Sequence, residues 1–82
     1  MTSLDREVEA FLKAFGAAVR RAREARGLSQ EKLGFEAELD RTYVSGVERG
    51  RRNPTVAVIF RLATALGVKP SRLVRRAEQE PA

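Results

Sequence analysis

Two short segments separated by a tight turn constrain the fold of this chain more than any other feature. The first is Leu28-Ser-Gln-Glu-Lys-Leu33, and the second runs from Leu39 to Pro54. Ser29 and Asp40 carry side chains that favour the N-cap of a helix, and Gly50 favours a helix end. The pattern predicts two short helices, over about 30–37 and 41–49, joined by that turn.

The second short helix has one side with apolar residues and another with small polar residues and arginines. A step of 100° per residue puts the apolar Val44 and Val47 on one side, with Tyr43 and Glu48. The other side carries Arg41, Thr42, Ser45, Gly46 and Arg49. Thr, Ser and Gly are weak helix formers, so their presence favours a helix that lies close to another surface. A DNA major groove would admit such a face, because arginine reaches guanine there; an ordinary solvated face is the alternative.

The composition narrows the class of protein. Its 82 residues suffice for one domain, and the formal net charge is +5. Most of the cationic residues are arginine, which favours planar contacts with phosphate and guanine. Without cysteine or histidine, disulfides, zinc fingers and histidine-based catalysis are excluded. We therefore expect no enzyme activity, no metal and no cofactor.

The sequence also predicts where the protein resides. The longest apolar run, residues 56–60, is far too short to span a membrane. The first residues, Met1-Thr-Ser-Leu-Asp, lack the apolar region of a signal peptide. A cytoplasmic protein with no membrane partner is expected.

Helical periodicity begins near the N-terminus. Apolar or small residues recur in steps of four and three from Leu4 to Ala25, which predicts a long first helix that ends at Gly27. Its exposed carboxylates, such as Glu7 and Glu9, are typical of a helix surface.

Two further helices follow the pair. Thr55 can cap a fourth helix that ends at Gly67, and its downstream helical spacing decides against a strand at 56–60. Pro70 suits the first turn of a fifth helix. The sequence thus predicts a compact, all-α, five-helix domain over 1–82, with a frayed tail at 78–82.

Several motifs together resemble the phage-repressor-like (XRE-type) helix-turn-helix family. They are Leu28-Ser-Gln-x-x-Leu33, Val44-x-x-Val-Glu-x-Gly50, Asn53-Pro54 and Leu62-Ala-x-x-Leu-Gly-Val68. The match spans about 15–74, which leaves 1–14 as an N-terminal helical extension. The string from Leu39 to Pro54 is also similar to controller proteins of restriction–modification systems, and to chromosomal, prophage and antitoxin regulators. The resemblance implies a lambda-repressor-like domain that binds double-stranded DNA and regulates transcription, for example as a repressor.

The resemblance also implies roles for individual side chains. The base-reading positions are Arg41, Thr42, Ser45 and Gly46. The phosphate-binding positions are Gln30, Tyr43, Arg49, Arg51, Arg52 and Asn53. Arg41 would contact guanine, Gly46 would permit close approach, and Gln30 would clamp the DNA backbone or brace a neighbouring base-reading side chain. Each arginine of the loop after the helix could instead be merely solvated.

An ion pair is expected between Arg23 of the first helix and Glu48. In this family such a pair orients the reading helix, whereas an exposed pair would contribute under about 1 kcal/mol. The chain departs from the family at Gly34, where alanine is usual, and at Glu38, where glycine is usual. A left-handed Glu38 and a helical Gly34 each cost about 1 kcal/mol, and we expect a slightly altered turn.

A homodimer on a pseudo-palindromic operator is expected, because one recognition helix reads only a few base pairs. The predicted dimer surface draws on Leu73 and Val74, with Leu4, Val8 and Phe11 as runner-up; these last residues could instead extend the core. RNA polymerase or a toxin is a further candidate partner. An antitoxin or a protein-binding adaptor of the same fold is the alternative function. The operator, the sign of regulation and any effector do not follow from the residues.

Overall fold

The computed structural model of the protein describes residues 1–79, which form five α-helices. They are α1 (Ser3–Ala25), α2 (Gln30–Ala37), α3 (Arg41–Glu48), α4 (Val56–Leu66) and α5 (Pro70–Gln79). The described residues contain no strand, so the predicted all-α fold is confirmed. No helix among them is both long and apolar enough to cross a membrane.

Side-chain caps fix where most of the helices begin. Ser29, Asp40 and Thr55 each accept a hydrogen bond from a backbone N–H in the first turn of α2, α3 and α4. These three caps were predicted, and each contributes about 1 kcal/mol. The cap of α1 was not predicted. Thr2 and Asp5 form a reciprocal capping box there, so the helix begins at Ser3 and not at Leu4.

The turn between α2 and α3 explains both departures from the family pattern. Glu38 adopts the left-handed conformation, with φ 58° and ψ 45°, at the cost expected for a residue with a side chain. Gly34 lets the turn return close to α2, because a Cβ there would lie 2.6 Å from the carbonyl oxygen of Leu39. The Leu39 N–H in turn donates to the Gly34 carbonyl at 2.8 Å. Alanine at position 34 would therefore disrupt this turn.

The core gathers one apolar face from each helix. Its largest fully buried side chains are Leu33, Leu62, Leu66, Leu73, Val19, Val44 and Val47. The two valines of α3 are therefore the anchors that the sequence predicted. Because α3 packs against both α1 and α2, its orientation is fixed from two sides.

The ends of the chain correct two expectations. Leu73 is 1% exposed and belongs to the core, so it is not available as a dimer surface; Val74 is half-buried. Leu4, Val8 and Phe11 are exposed, so they do not extend the core of the single chain. Glu78 and Gln79 continue α5, whereas the rest of the tail expected to fray, residues 80–82, lies outside the described residues.

Candidate nucleic-acid interface

The outward face of α3 presents polar side chains. Arg41 and Thr42 in its first turn are exposed, Arg49 just after its end is exposed, and Ser45 is half-buried. Two of the predicted base-reading side chains, Arg41 and Thr42, and the predicted phosphate-binding Arg49 are therefore directly accessible. The backbone beneath them is held by the valine anchors, so the face is presented on a rigid element.

Asp40 organises the start of this face. Its carboxylate accepts a hydrogen bond from the backbone N–H of Thr42 at 2.8 Å, and another from the Thr42 hydroxyl. These bonds hold the pKa of the Asp40 carboxyl below its usual value, and the nearby Arg41 adds to the effect. With its hydroxyl engaged in this way, Thr42 presents its methyl group toward a partner more readily than its hydroxyl.

Gly46 lies beneath a side chain in this structure and is not an open position on the helix. It is buried, and a Cβ there would lie 2.8 Å from Cγ of Arg52. The Arg52 guanidinium continues over the Tyr43 ring, 5.6 Å from its centroid, within the range of a cation–π contact. Gly46 therefore makes room for Arg52, a reason for this glycine that the sequence did not reveal.

A buried network ties α3 to the two helices before it. Arg23 Nε donates to Glu48 Oε2 at 2.7 Å, and Arg23 Nη2 donates to Glu48 Oε1 at 3.0 Å. The Glu48 side chain is 2% exposed and that of Arg23 is 12% exposed, so the predicted pair is present and buried. The hydrogen bonds to Glu48 raise the pKa of Arg23 above its ordinary value.

Two further contacts complete this network. Arg23 Nη1 donates to the Leu28 carbonyl at 2.8 Å, which fixes the turn that precedes α2. Gln30 Nε2 donates to Glu48 Oε1 at 3.0 Å. Every donor and acceptor buried among the described side chains has a partner. The network therefore holds α1, α2 and α3 at one mutual angle.

Gln30 consequently has a different neighbour from the one expected. Its amide is bound to Glu48 at the end of α3, and its side chain is half-buried. Glu48 is not one of the base-reading side chains. The hydrogen bond from Gln30 therefore stabilises the position of α3 and does not hold a base-reading side chain in place. A phosphate contact by Gln30 would have to use the remaining amide N–H or its backbone.

The loop after α3 concentrates positive charge. Arg51, Arg52 and Asn53 are exposed, and the exposed Arg49 also donates from Nε to the Ser45 carbonyl at 3.3 Å. The structure thus brings the predicted groove-facing and phosphate-binding side chains to one region, around α3 and its following loop. Such an arrangement, a polar helix face flanked by arginines, defines a DNA-binding helix-turn-helix protein.

Comparison with known proteins agrees with this geometry. A helix-turn-helix family model matches residues 19–73. The HTH-type transcriptional regulator y4dJ of Sinorhizobium fredii is 41% identical over 69 residues, which cover 84% of this chain and 90% of that one. Control protein C.BamHI of Bacillus amyloliquefaciens is 48% identical over 61 residues, covering 73% and 75% respectively.

A solved structure is similar as well. The restriction–modification controller protein C.AhdI from Aeromonas hydrophila has a TM-score of 0.75 and 53% identity, covering 76% of this chain and 94% of that one. The chain belongs to the helix-turn-helix family of DNA-binding transcription regulators.

Proposed function

We propose that this protein is a sequence-specific regulator that binds a pseudo-palindromic operator as a homodimer. The observation that carries the proposal is the buried contact of Arg23 and Gln30 with Glu48, at 2.7 to 3.0 Å. It fixes the pose of α3 while Arg41 and Thr42 remain exposed. A reader needs both a fixed helix and free side chains, because base contacts depend on their exact placement.

Individual roles follow from this exposure. Arg41, at the N-terminal end of α3, is assigned to guanine, and the methyl group of Thr42 to thymine. Ser45 would approach a base or phosphate from the middle of the helix. Arg49, Arg51, Arg52 and Asn53 are assigned to phosphates, where they would set the register of α3 without reading sequence. Tyr43 would act with Arg52, whose guanidinium it supports.

Arg41→Ala should relax the base preference at one position of each half-site. Loss of a bidentate contact between arginine and guanine costs about 1–3 kcal/mol of discrimination against the other bases at that position. Selection of binding sites from a random DNA pool by the purified protein measures the change. An unchanged selected motif would show that Arg41 does not read a base.

Arg52→Ala should weaken binding to all DNA sequences about equally. Each lost phosphate contact lowers the slope of log affinity against log salt by about 0.9 per subunit. Arg61→Ala is the matched control, because Arg61 is an exposed arginine on α4 outside the loop. Titrations at several salt concentrations measure both slopes. Altered specificity with an unchanged slope would contradict the phosphate role.

The homodimer is supported by the size of the reading surface. A single α3 of eight residues contacts only a few base pairs, whereas two copies about one helical turn apart double the specific contacts. Sedimentation with a single half-site and with the full palindrome tests this. Two chains per palindrome, with a clear gain in affinity over the half-site, are expected. Tight one-to-one binding without such a gain would refute the dimer.

The relatives suggest a more particular role. Among the similar proteins are control proteins of restriction–modification systems, with identities of 36% to 53%. We therefore propose that the protein acts in the cytoplasm as a regulator of this type, with its own promoter among its targets. Contact with RNA polymerase would follow from activation. Mapping the operator to its own promoter region by footprinting would test the autoregulatory part.

A further inference from the structure

The beginning of α1 projects from the rest of the domain. α1 contains 23 residues, about 35 Å of helix at 1.5 Å per residue, and the longest dimension of the molecule is 36 Å. Its first buried residue is Ala14. Residues 3–12, here called the arm, precede Ala14 and also lie outside the family match at 19–73. The arm is therefore an addition to the DNA-binding module.

One side of the arm carries apolar side chains that are exposed to solvent. Leu4, Val8 and Phe11 are 66%, 45% and 39% exposed, and helical geometry places them within about 60° of one another. Glu7 borders this stripe, whereas Arg6 lies on the opposite side of the helix. The arm as a whole carries three carboxylates and one guanidinium. It is thus an acidic amphipathic helix with an unpartnered apolar side.

A groove of the opposite charge lies at the other end of the same helix. It runs between the second half of α1, the end of α4 and the start of α5, with a volume of about 190 Å³. Ala22, Ala25 and Val68 line its floor and keep accessible apolar surface there. Its rim carries Arg21, Arg26, Arg72 and Arg76, and no acidic side chain lines it among the described residues. Arg26 is fixed there by donating to the Ala65 carbonyl at 2.7 Å.

We propose that the arm of one copy docks into this groove of a second copy. The exposed stripe would cover the small-residue floor, and Glu7 would meet the arginine rim. A chain cannot fill its own groove, because the arm and Ala22 belong to one continuous helix, and Leu12 at the end of the arm lies about 15 Å from Ala22 along it. In a twofold dimer each copy would supply one arm and one groove, a self-complementary interface.

This inference rests on the proposed function in one respect, since the homodimer identifies the second copy as the occupant. The interface uses none of the DNA-facing side chains of α3 or its following loop, so both recognition helices remain free. A rival surface is available on α4, where Val56 and Phe60 are 84% and 61% exposed. Glu36, Glu38 and Arg61 lie beside Phe60, so that surface mixes both signs of charge, whereas the rim of the groove carries arginines and the arm is acidic.

Charge exchange tests the contact in the absence of DNA. Glu7→Arg alone, and Arg72→Glu with Arg76→Glu, should each weaken self-association by about tenfold or more, as measured by sedimentation equilibrium. A chain carrying all three substitutions should recover the wild-type constant to within about threefold. All of these positions are exposed, so circular dichroism should show unchanged helix content. Failure of the triple variant to recover would overturn the proposal.

Phe60→Glu is the matched control, because it places a carboxylate on the rival apolar surface. It should leave self-association unchanged. Dissociation by Phe60→Glu, with none by Val8→Glu, would overturn the arm contact yet leave the homodimer intact. A wild-type chain that stays monomeric at 100-fold above its operator dissociation constant would overturn the arm contact too. The proposed function fails separately, if the full palindrome binds only one chain.

Discussion

Glu48→Ala is expected to lower the free energy of unfolding by about 3–5 kcal/mol, because it leaves the guanidinium of Arg23, 12% exposed, without the carboxylate that accepts two of its hydrogen bonds. The Glu48 side chain is 2% exposed, so bulk solvent does not reach the lost carboxylate's position to compensate for it. It also accepts from Gln30, which would lose its partner. In a domain of this size each kcal/mol changes Tm by about 4–8 °C, so Tm should fall by more than about 10 °C.

Glu24→Ala is the matched control for this experiment. Glu24 also pairs with an arginine, Arg20, but the two side chains are 54% and 64% exposed. Exposed pairs contribute about 0.2–1 kcal/mol, so its Tm should hardly change. Thermal and urea unfolding measure both variants. Similar small losses for the two substitutions would contradict the view that a buried pair holds α3 in place.

Gly16→Ala should lower the free energy of unfolding about as much as Glu48→Ala does. This is unusual, because alanine normally stabilises a helix interior by about 1 kcal/mol relative to glycine. Gly16 lies where α1 crosses the end of α3. An added Cβ would lie 2.6 Å from the carbonyl oxygen of Glu48, and closer still to that of Val47. Both are backbone atoms, so α1 and α3 would have to separate. We expect a loss of at least about 3 kcal/mol in the free energy of unfolding, together with weaker operator binding.

Gly27→Ala is the matched control, because it replaces a glycine whose added Cβ would not collide with another part of the protein. Gly27 has a φ of 69°, and a Cβ there would meet nothing within 4 Å. The free energy of unfolding of Gly27→Ala should therefore fall only by the cost of backbone strain, about 1 kcal/mol. Urea unfolding of both variants gives the comparison. A stabilised Gly16→Ala variant would show that α1 and α3 are not in such close contact.

The sequence by itself determined the local features of this protein. The caps at Ser29, Asp40 and Thr55 and the apolar periodicity of each helix depend on neighbours within about four residues, so they can be read from the order of residues. The pair of Arg23 and Glu48 joins residues 25 positions apart. It could be predicted only because the motifs resembled those of a known family.

Only the tertiary structure decided what depends on contacts between distant segments. Gly16 looks like any small residue of α1 until the carbonyl groups of α3 are placed against it, and Gly46 looks open until Arg52 covers it. Leu73 shares its helical pattern with surface candidates, yet packing against α1 and α4 buries it. A periodic stripe shows which side of a helix is apolar. Which part of that side is covered within the chain depends on which helices reach it: Ala18 is buried, whereas Leu4, Val8 and Phe11 stay exposed.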